Sequence, residues 1–107
     1  MRGAGRIAMI SEHANPLSLL GSEDAGGQNV YVYELCLGLA RLGYQIDVLT
    51  RRDDPAAPEV VRLARGVHVV HVAAGPRTFI KKDELWEHMP AFLEGCHAYL
   101  AGRRPAY

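Results

Sequence analysis

Cysteine is scarce in this chain. Cys36 and Cys96 are the two it has, far apart and without CxxC spacing, so neither a redox pair nor a cysteine-rich metal site is encoded. Both fall on predicted helix faces and read as reduced core thiols. Long hydrophobic runs are missing too: nothing approaches the ~18 apolar residues of a membrane span. The short apolar run behind Arg2 and Arg6 reads as a strand rather than a signal peptide. Neither sign of charge dominates. Twelve Lys and Arg offset twelve Asp and Glu, leaving no footprint for nucleic acid and no polybasic membrane patch. What is present is 49% hydrophobic and 22% charged sequence over 107 residues, which suits one small globular domain with one core. A cytoplasmic protein is the expectation.

Hydrophobic periodicity orders the chain. Arg6–Ser11 is an apolar run of strand length, and Ala14–Gly27 is a long loop holding Pro16, Gly21, Gly26 and Gly27. From Gln28 to Leu42, Val32, Leu35, Cys36, Leu39 and Leu42 recur at helical spacing, and Gly43 stands where a C-terminal glycine is expected. Gly38 inside that helix costs roughly 1 kcal/mol, tolerable if the helix packs closely on a sheet. Gln45–Thr50 is a second strand, completing a βαβ unit with parallel strands and a right-handed crossover. Val60–Ala64 and Val67–Ala73 read as two more strands around Arg65-Gly66. Asp83 is placed to cap a helix from Glu84, with Trp86, Phe92 and Tyr99 as core residues and Pro90 kinking or restarting it. Arg51-Arg52-Asp53-Asp54 reads as a solvated loop. A doubly wound sheet needs more parallel strands than these, so the chain reads as the front of a larger α/β domain.

The chemistry concentrates at Asp24-Ala25-Gly26-Gly27-Gln28-Asn29. Paired glycines before a helix let backbone N–H groups approach a ligand, and the helix N-terminus carries partial positive charge. Together they form an anion site, most often for phosphate. The amides of Gln28 and Asn29 add capacity for a polyhydroxyl ligand, although Asn29 also suits a plain helix cap. His13 stands at the carboxyl end of a strand, where open α/β sheets bind ligands. No metal is expected: His68 and His71 are three apart on a strand and face opposite sides, and His88 and His97 lack i,i+4 partners.

The run HANPLSLLGSEDAGGQNVYV, from His13 to Val32, resembles the first loop of the family 4 glycosyltransferases of GT-B fold, in particular their sucrose-phosphate synthase-like and inositol-phosphate branches. RIAMISEHANPL, LARLGYQIDVLTRRDDP and GVHVVHVAAGP followed by Lys82 extend the resemblance over roughly residues 6–101. The resemblance implies a partial Rossmann-like N-terminal domain with a mainly parallel sheet flanked by helices. Residues 1–107 are then the acceptor-side domain, truncated, with the C-terminal donor-binding domain absent. It further implies Gly26 and Gly27 at the donor diphosphate, and His13, Asp24, Gln28, Asn29 and Lys82 at the acceptor, with Lys82 pairing an acceptor phosphate. No catalytic residue falls within the chain by this reading, and 107 residues alone should be inactive.

The implied reaction moves a sugar, with retention, from a nucleotide-diphosphate sugar to a sugar or a sugar or cyclitol phosphate. No cofactor beyond that co-substrate is implied. Two other classes compete. Arg51 and Arg52 after the second strand could take the 2′-phosphate of NADP in an oxidoreductase, but G-x-G-x-x-G is absent and the loop ahead of the glycine pair is too long. A non-catalytic sugar-phosphate-binding module, or a chain that self-associates through an exposed sheet edge, is the third reading.

Overall fold

Residues 5–18, 27–104 and 106–107 are described by a computed structural model. Five expected elements form within a residue or two of their expected bounds: strand β1 (Gly5–Ile10), helix α1 (Gly27–Arg41), and strands β2 (Tyr44–Arg51), β3 (Val60–Ala64) and β4 (Val67–Val72). They build one four-stranded sheet in the order β1-β2-β4-β3. β1 and β4 both run parallel to β2, with Ile7 opposite Ile46 and Val48 opposite Val69. β3 returns antiparallel to β4 across Arg65-Gly66, where Gly66 takes the positive φ of 82° that the two-residue turn demands. The sheet is therefore mainly parallel, and β1–α1–β2 is the expected crossover unit.

Alternation along the strands supplies two apolar faces. On one, Val32 and Cys36 of α1 bury against Ile46, Val48, Val67 and Val69, with Ile7, Met9 and Leu39 packed around them. Val32, Cys36 and Leu39 form a single helical stripe at i, i+4 and i+7. Leu35 lies at its margin and Leu42 beyond its end, and both are exposed; the expected stripe is narrower than the apolar count suggested. Gly38 is no close-packing glycine, because a Cβ built there meets nothing within 4 Å among the described residues. On the other face, Phe92 and Cys96 bury against Leu49, Val70, Val72 and Ala74. Full burial of side chains of this size is worth about 1.5–3 kcal/mol each. β1 is half-buried rather than buried, since it lies at the edge of the sheet among the described residues, and Ile10 is 55% exposed.

The C-terminal helix starts later than expected. Lys82–Glu84 and Trp86–His88 are short 3₁₀ turns, Asp83 caps nothing, and helix α2 spans Met89–Leu100 with Pro90 in its first turn. A helix from Glu84 would put Pro90 in its interior, where it has no N–H for the carbonyl four residues back. In the first turn that N–H is not needed. Trp86 is consequently left outside the helix, 84% exposed, while Phe92 is core as expected and Tyr99 packs beside it.

Beyond α2 the chain is fastened to the sheet by a polar cluster. Arg6 Nε and Nη2 contact Asp47 Oδ2 at 2.8 and 2.7 Å, and Tyr107 donates its hydroxyl to the same oxygen at 2.6 Å. Arg6 also lies over the Tyr107 ring, 4.6 Å from its centroid. Burial raises the Tyr107 phenol above its ordinary value, and the bond to Asp47 raises it further. Cys36 and Cys96 are free and buried.

Candidate functional site

The polar groups gather at the carboxyl ends of the parallel strands, where the chain leaves β1 and β2. The segment after β1 is anchored to β2 by its backbone: Ser11 N donates to Leu49 O at 2.9 Å, and Arg51 N to Glu12 O at 3.2 Å. Ser11 Oγ donates to Ala14 O at 2.8 Å, closing a tight bend behind His13. Asn15 then organises the loop. Its Oδ1 accepts from Leu17 N at 2.9 Å, an Asx turn ahead of the Pro16-Leu17 step. Its Nδ2 meets His71 Nε2 at 3.1 Å, and its carbonyl accepts from Asn29 Nδ2 at 2.9 Å. His71 is buried, and its Nδ1 lies 2.7 Å from Pro58 O. A carbonyl can only accept, so Nδ1 carries the proton and Nε2 accepts from Asn15: a neutral imidazole with both nitrogens used.

Within this frame each expected site residue has a place. Gly27 opens α1, exposed, with no atom of the described residues within 4 Å of where a Cβ would sit. The first turn of α1 holds no acidic residue, so nothing within the helix neutralises its positive end. Gln28 beside it is exposed. Asn29 faces inward, 5% exposed, and ties α1 to the β1 loop through Asn15. His13 is half-buried, with Nδ1 3.3 Å from Glu12 Oε1. It lines a narrow cleft with Thr50, Arg51, Phe79, Ile80 and Leu85. Lys82 is exposed and lies in the chain between Ile80 and Leu85, two walls of that cleft. The structure thus assembles Gly27, Asn29 and His13 around one loop and brings the Lys82 segment to the same cleft. Asp24 and Gly26 lie outside the described residues.

Arg51 corrects the reading of Arg51–Asp54 as a solvated loop. It ends β2, is 4% exposed, and donates Nη1 to Ala74 O at 3.1 Å and to Pro76 O at 2.5 Å, and Nη2 to Thr78 O. Burial pulls its guanidinium below the ordinary value, opposed by Asp53. Engaged in this way, Arg51 is not available to a 2′-phosphate, which removes one of the two arginines on which the NADP reading stood. Sequence reasoning missed Arg51, Asn15 and His71 as organising residues. The Asn15-Pro16 dipeptide was a usable turn signal; for Arg51 no local signal existed, because its partners come from a distant segment. Among the described residues, no group of three or more His, Cys, Asp or Glu is placed to hold a metal ion, and no helix is long and apolar enough to cross a membrane.

An open, mainly parallel sheet with helices on both faces and polar groups at the strands' carboxyl ends defines a Rossmann-like α/β protein. Comparison with known proteins narrows this. Residues 26–107 match the family described as glycosyl transferase 4-like domain, and the chain belongs to that family. It is 49% identical over 90 residues to a D-inositol 3-phosphate glycosyltransferase of Kineococcus radiotolerans, covering 84% of this chain and 21% of that protein. A D-inositol 3-phosphate glycosyltransferase of Streptomyces coelicolor is 43% identical over 102 residues, covering 95% of this chain and 22% of its own length. Among solved structures, sucrose-phosphate synthase from Thermosynechococcus elongatus superposes with a TM-score of 0.86 at 40% identity, over 92% of this chain and 25% of that one. The fold class is the expected one, and the chain spans about a fifth to a quarter of the length of these relatives.

Proposed function

We propose that this chain forms the acceptor-side part of a retaining glycosyltransferase, which moves a sugar from a nucleotide-diphosphate sugar to a sugar or a sugar or cyclitol phosphate. The observation that carries the reading is the α1 N-terminus at Gly27, uncrowded among the described residues and set beside the loop that presents His13. Charge develops on the leaving diphosphate in the transition state, and fixed backbone N–H groups at a helix end stabilise it without reorganising. Gly26 and Gly27 take that role. Gln28, Asn29, Asp24 and His13 orient the acceptor, Asn29 in part by holding the loop in register. Lys82 meets the acceptor's phosphate. A phosphorylated acceptor is favoured because both relatives' names carry a phosphate, one on inositol and one on sucrose. The reading places the protein in the cytoplasm, where both buried thiols stay reduced, and requires no cofactor beyond the nucleotide sugar.

The test is transfer by the full-length gene product from a panel of nucleotide sugars, to phosphorylated and unphosphorylated acceptors, with the product anomer read by NMR. Gly27→Ala meets open space among the described residues, so it should leave the unfolding midpoint unchanged. A methyl group against the diphosphate should lower kcat by about 10²-fold or more. Lys82→Ala should raise KM for the phosphorylated acceptor alone. Full kcat in Gly27→Ala together with an unchanged acceptor KM in Lys82→Ala would refute the assignment.

A further inference from the structure

We infer that Arg51 is a positioning residue for Lys82. Its guanidinium straps the segment that carries Lys82 into the cleft and so sets the station from which that lysine meets an acceptor phosphate. The inference rests on the proposed role of Lys82. Between Val72 and Lys82 the backbone belongs to no helix or strand, so nothing regular fixes its path. Arg51 supplies the missing order. It stands at the end of a central strand, and its Nη1 and Nη2 reach the alternate carbonyls of Ala74, Pro76 and Thr78. Five donors on a rigid plane suit three fixed acceptors; a lysine, with one nitrogen on a flexible stem, cannot span them. Phe79 and Ile80, next along the chain, line the cleft with His13, and Lys82 follows two residues later.

The second observation is electrostatic. Arg51 is 4% exposed, yet no carboxylate lies in ion-pair range among the described residues. Asp53 acts on it from further off, and with Glu12 it lines the same cleft, so the charge of Arg51 is balanced there while its donors stay on the three carbonyls. What Arg51 supplies to Lys82 is therefore position rather than potential.

The experiment uses the full-length gene product with Arg51→Lys, Lys82→Ala and the double variant. Binding of D-inositol 3-phosphate and of unphosphorylated inositol is measured by calorimetry, and amide exchange is followed across residues 74–82. Arg51→Lys should raise exchange across that segment and weaken the phosphorylated ligand by about tenfold, with little change for inositol. The double variant should bind no worse than Lys82→Ala, because Arg51 acts through that lysine. Additive losses, or equal losses for the two ligands, overturn the inference. Lys82→Ala without effect would refute the role proposed for Lys82 and, with it, this inference; in that case the exchange data still decide whether Arg51 orders the segment. Unchanged exchange in Arg51→Lys overturns the strap by itself.

Discussion

Arg6→Met should be among the most costly single changes outside the site. Asp47 is buried in the second strand, its side chain 5% exposed, and Arg6 reaches one of its oxygens twice, at 2.7 and 2.8 Å. Removing the guanidinium leaves that carboxylate in the interior with Tyr107 as its partner at 2.6 Å. Breaking a buried pair from one side costs about 3–5 kcal/mol, against a total of about 5–15 kcal/mol for a domain of this kind. Tyr107→Phe removes a hydrogen bond to a charged group and should cost about 1.5–3 kcal/mol. The double change Arg6→Met with Asp47→Leu removes both charges but also the acceptor of the Tyr107 hydroxyl, so it should recover most of the Arg6→Met loss only when Tyr107→Phe is added. Urea unfolding at neutral pH, followed by far-UV circular dichroism, measures all of these; Trp86 is too exposed to report by fluorescence. A loss under about 1 kcal/mol in Arg6→Met, or a triple variant no better than Arg6→Met, would show that the pair behaves as a surface salt bridge.

Gly38→Ala should raise stability by about 0.5–1 kcal/mol, since the added methyl meets nothing among the described residues and the helix gains propensity. Gly75→Ala should lower it by about 1–3 kcal/mol: φ there is +72°, and the new Cβ would lie 2.4 Å from His88 Nδ1. Thermal melts of the two variants check both signs. Burial pushes the Cys36 thiol up to about 11 from 9.0. The folded state holds that proton more tightly than the unfolded chain, so Cys36 contributes fully below pH 9. Its contribution fades between about pH 9 and 11, by on the order of 2 kcal/mol. In the folded protein at pH 8 it should resist alkylation until urea exposes it, as mass spectrometry can follow. The 107-residue chain should self-associate through Ile10, Trp86 and Leu93, which line an apolar groove of about 740 Å³ on the edge-strand side of the second helix. In sedimentation velocity, Trp86→Ser with Leu93→Ser should shift it to monomer, and an unchanged profile would place the contact elsewhere.

The strands and first helix were legible because their boundaries are local. Gly43 and Gly66 take the positive φ their positions require, and valine-rich runs of five or six residues between breaks are too short and too β-branched for buried helices. The edge position of the first strand was less visible, since burial depends on which strands flank it rather than on its own residues. Pro90 was noticed, but its consequence depended on where the helix began, and the polar run before it hid two 3₁₀ turns. Of the candidate site, His13, Gly27 and Lys82 lie where a ligand could reach them. Asn29 is turned inward by its bond to Asn15. Arg51 was misread because charged residues after a strand are usually solvated, and its acceptors lie more than twenty residues further along the chain.

The pairing order of the sheet carries a consequence in time. The third and fourth strands close over Arg65-Gly66, a loop short enough to form in microseconds. The first strand must instead bring Gly5 to Tyr44 and Ile10 to Leu49, after the loop, the helix and a turn have all been traversed. Loop-closure entropy delays such long-range parallel pairing, so the first strand docks late and, by the same barrier, is the earliest to let go. The loop bearing His13 hangs from that strand and is pinned to the rest by Asn15. Opening of the sheet therefore begins at the side of the His13 loop, and a molecule gripping both His13 and the first helix would act as a clasp on the last pair of strands to form.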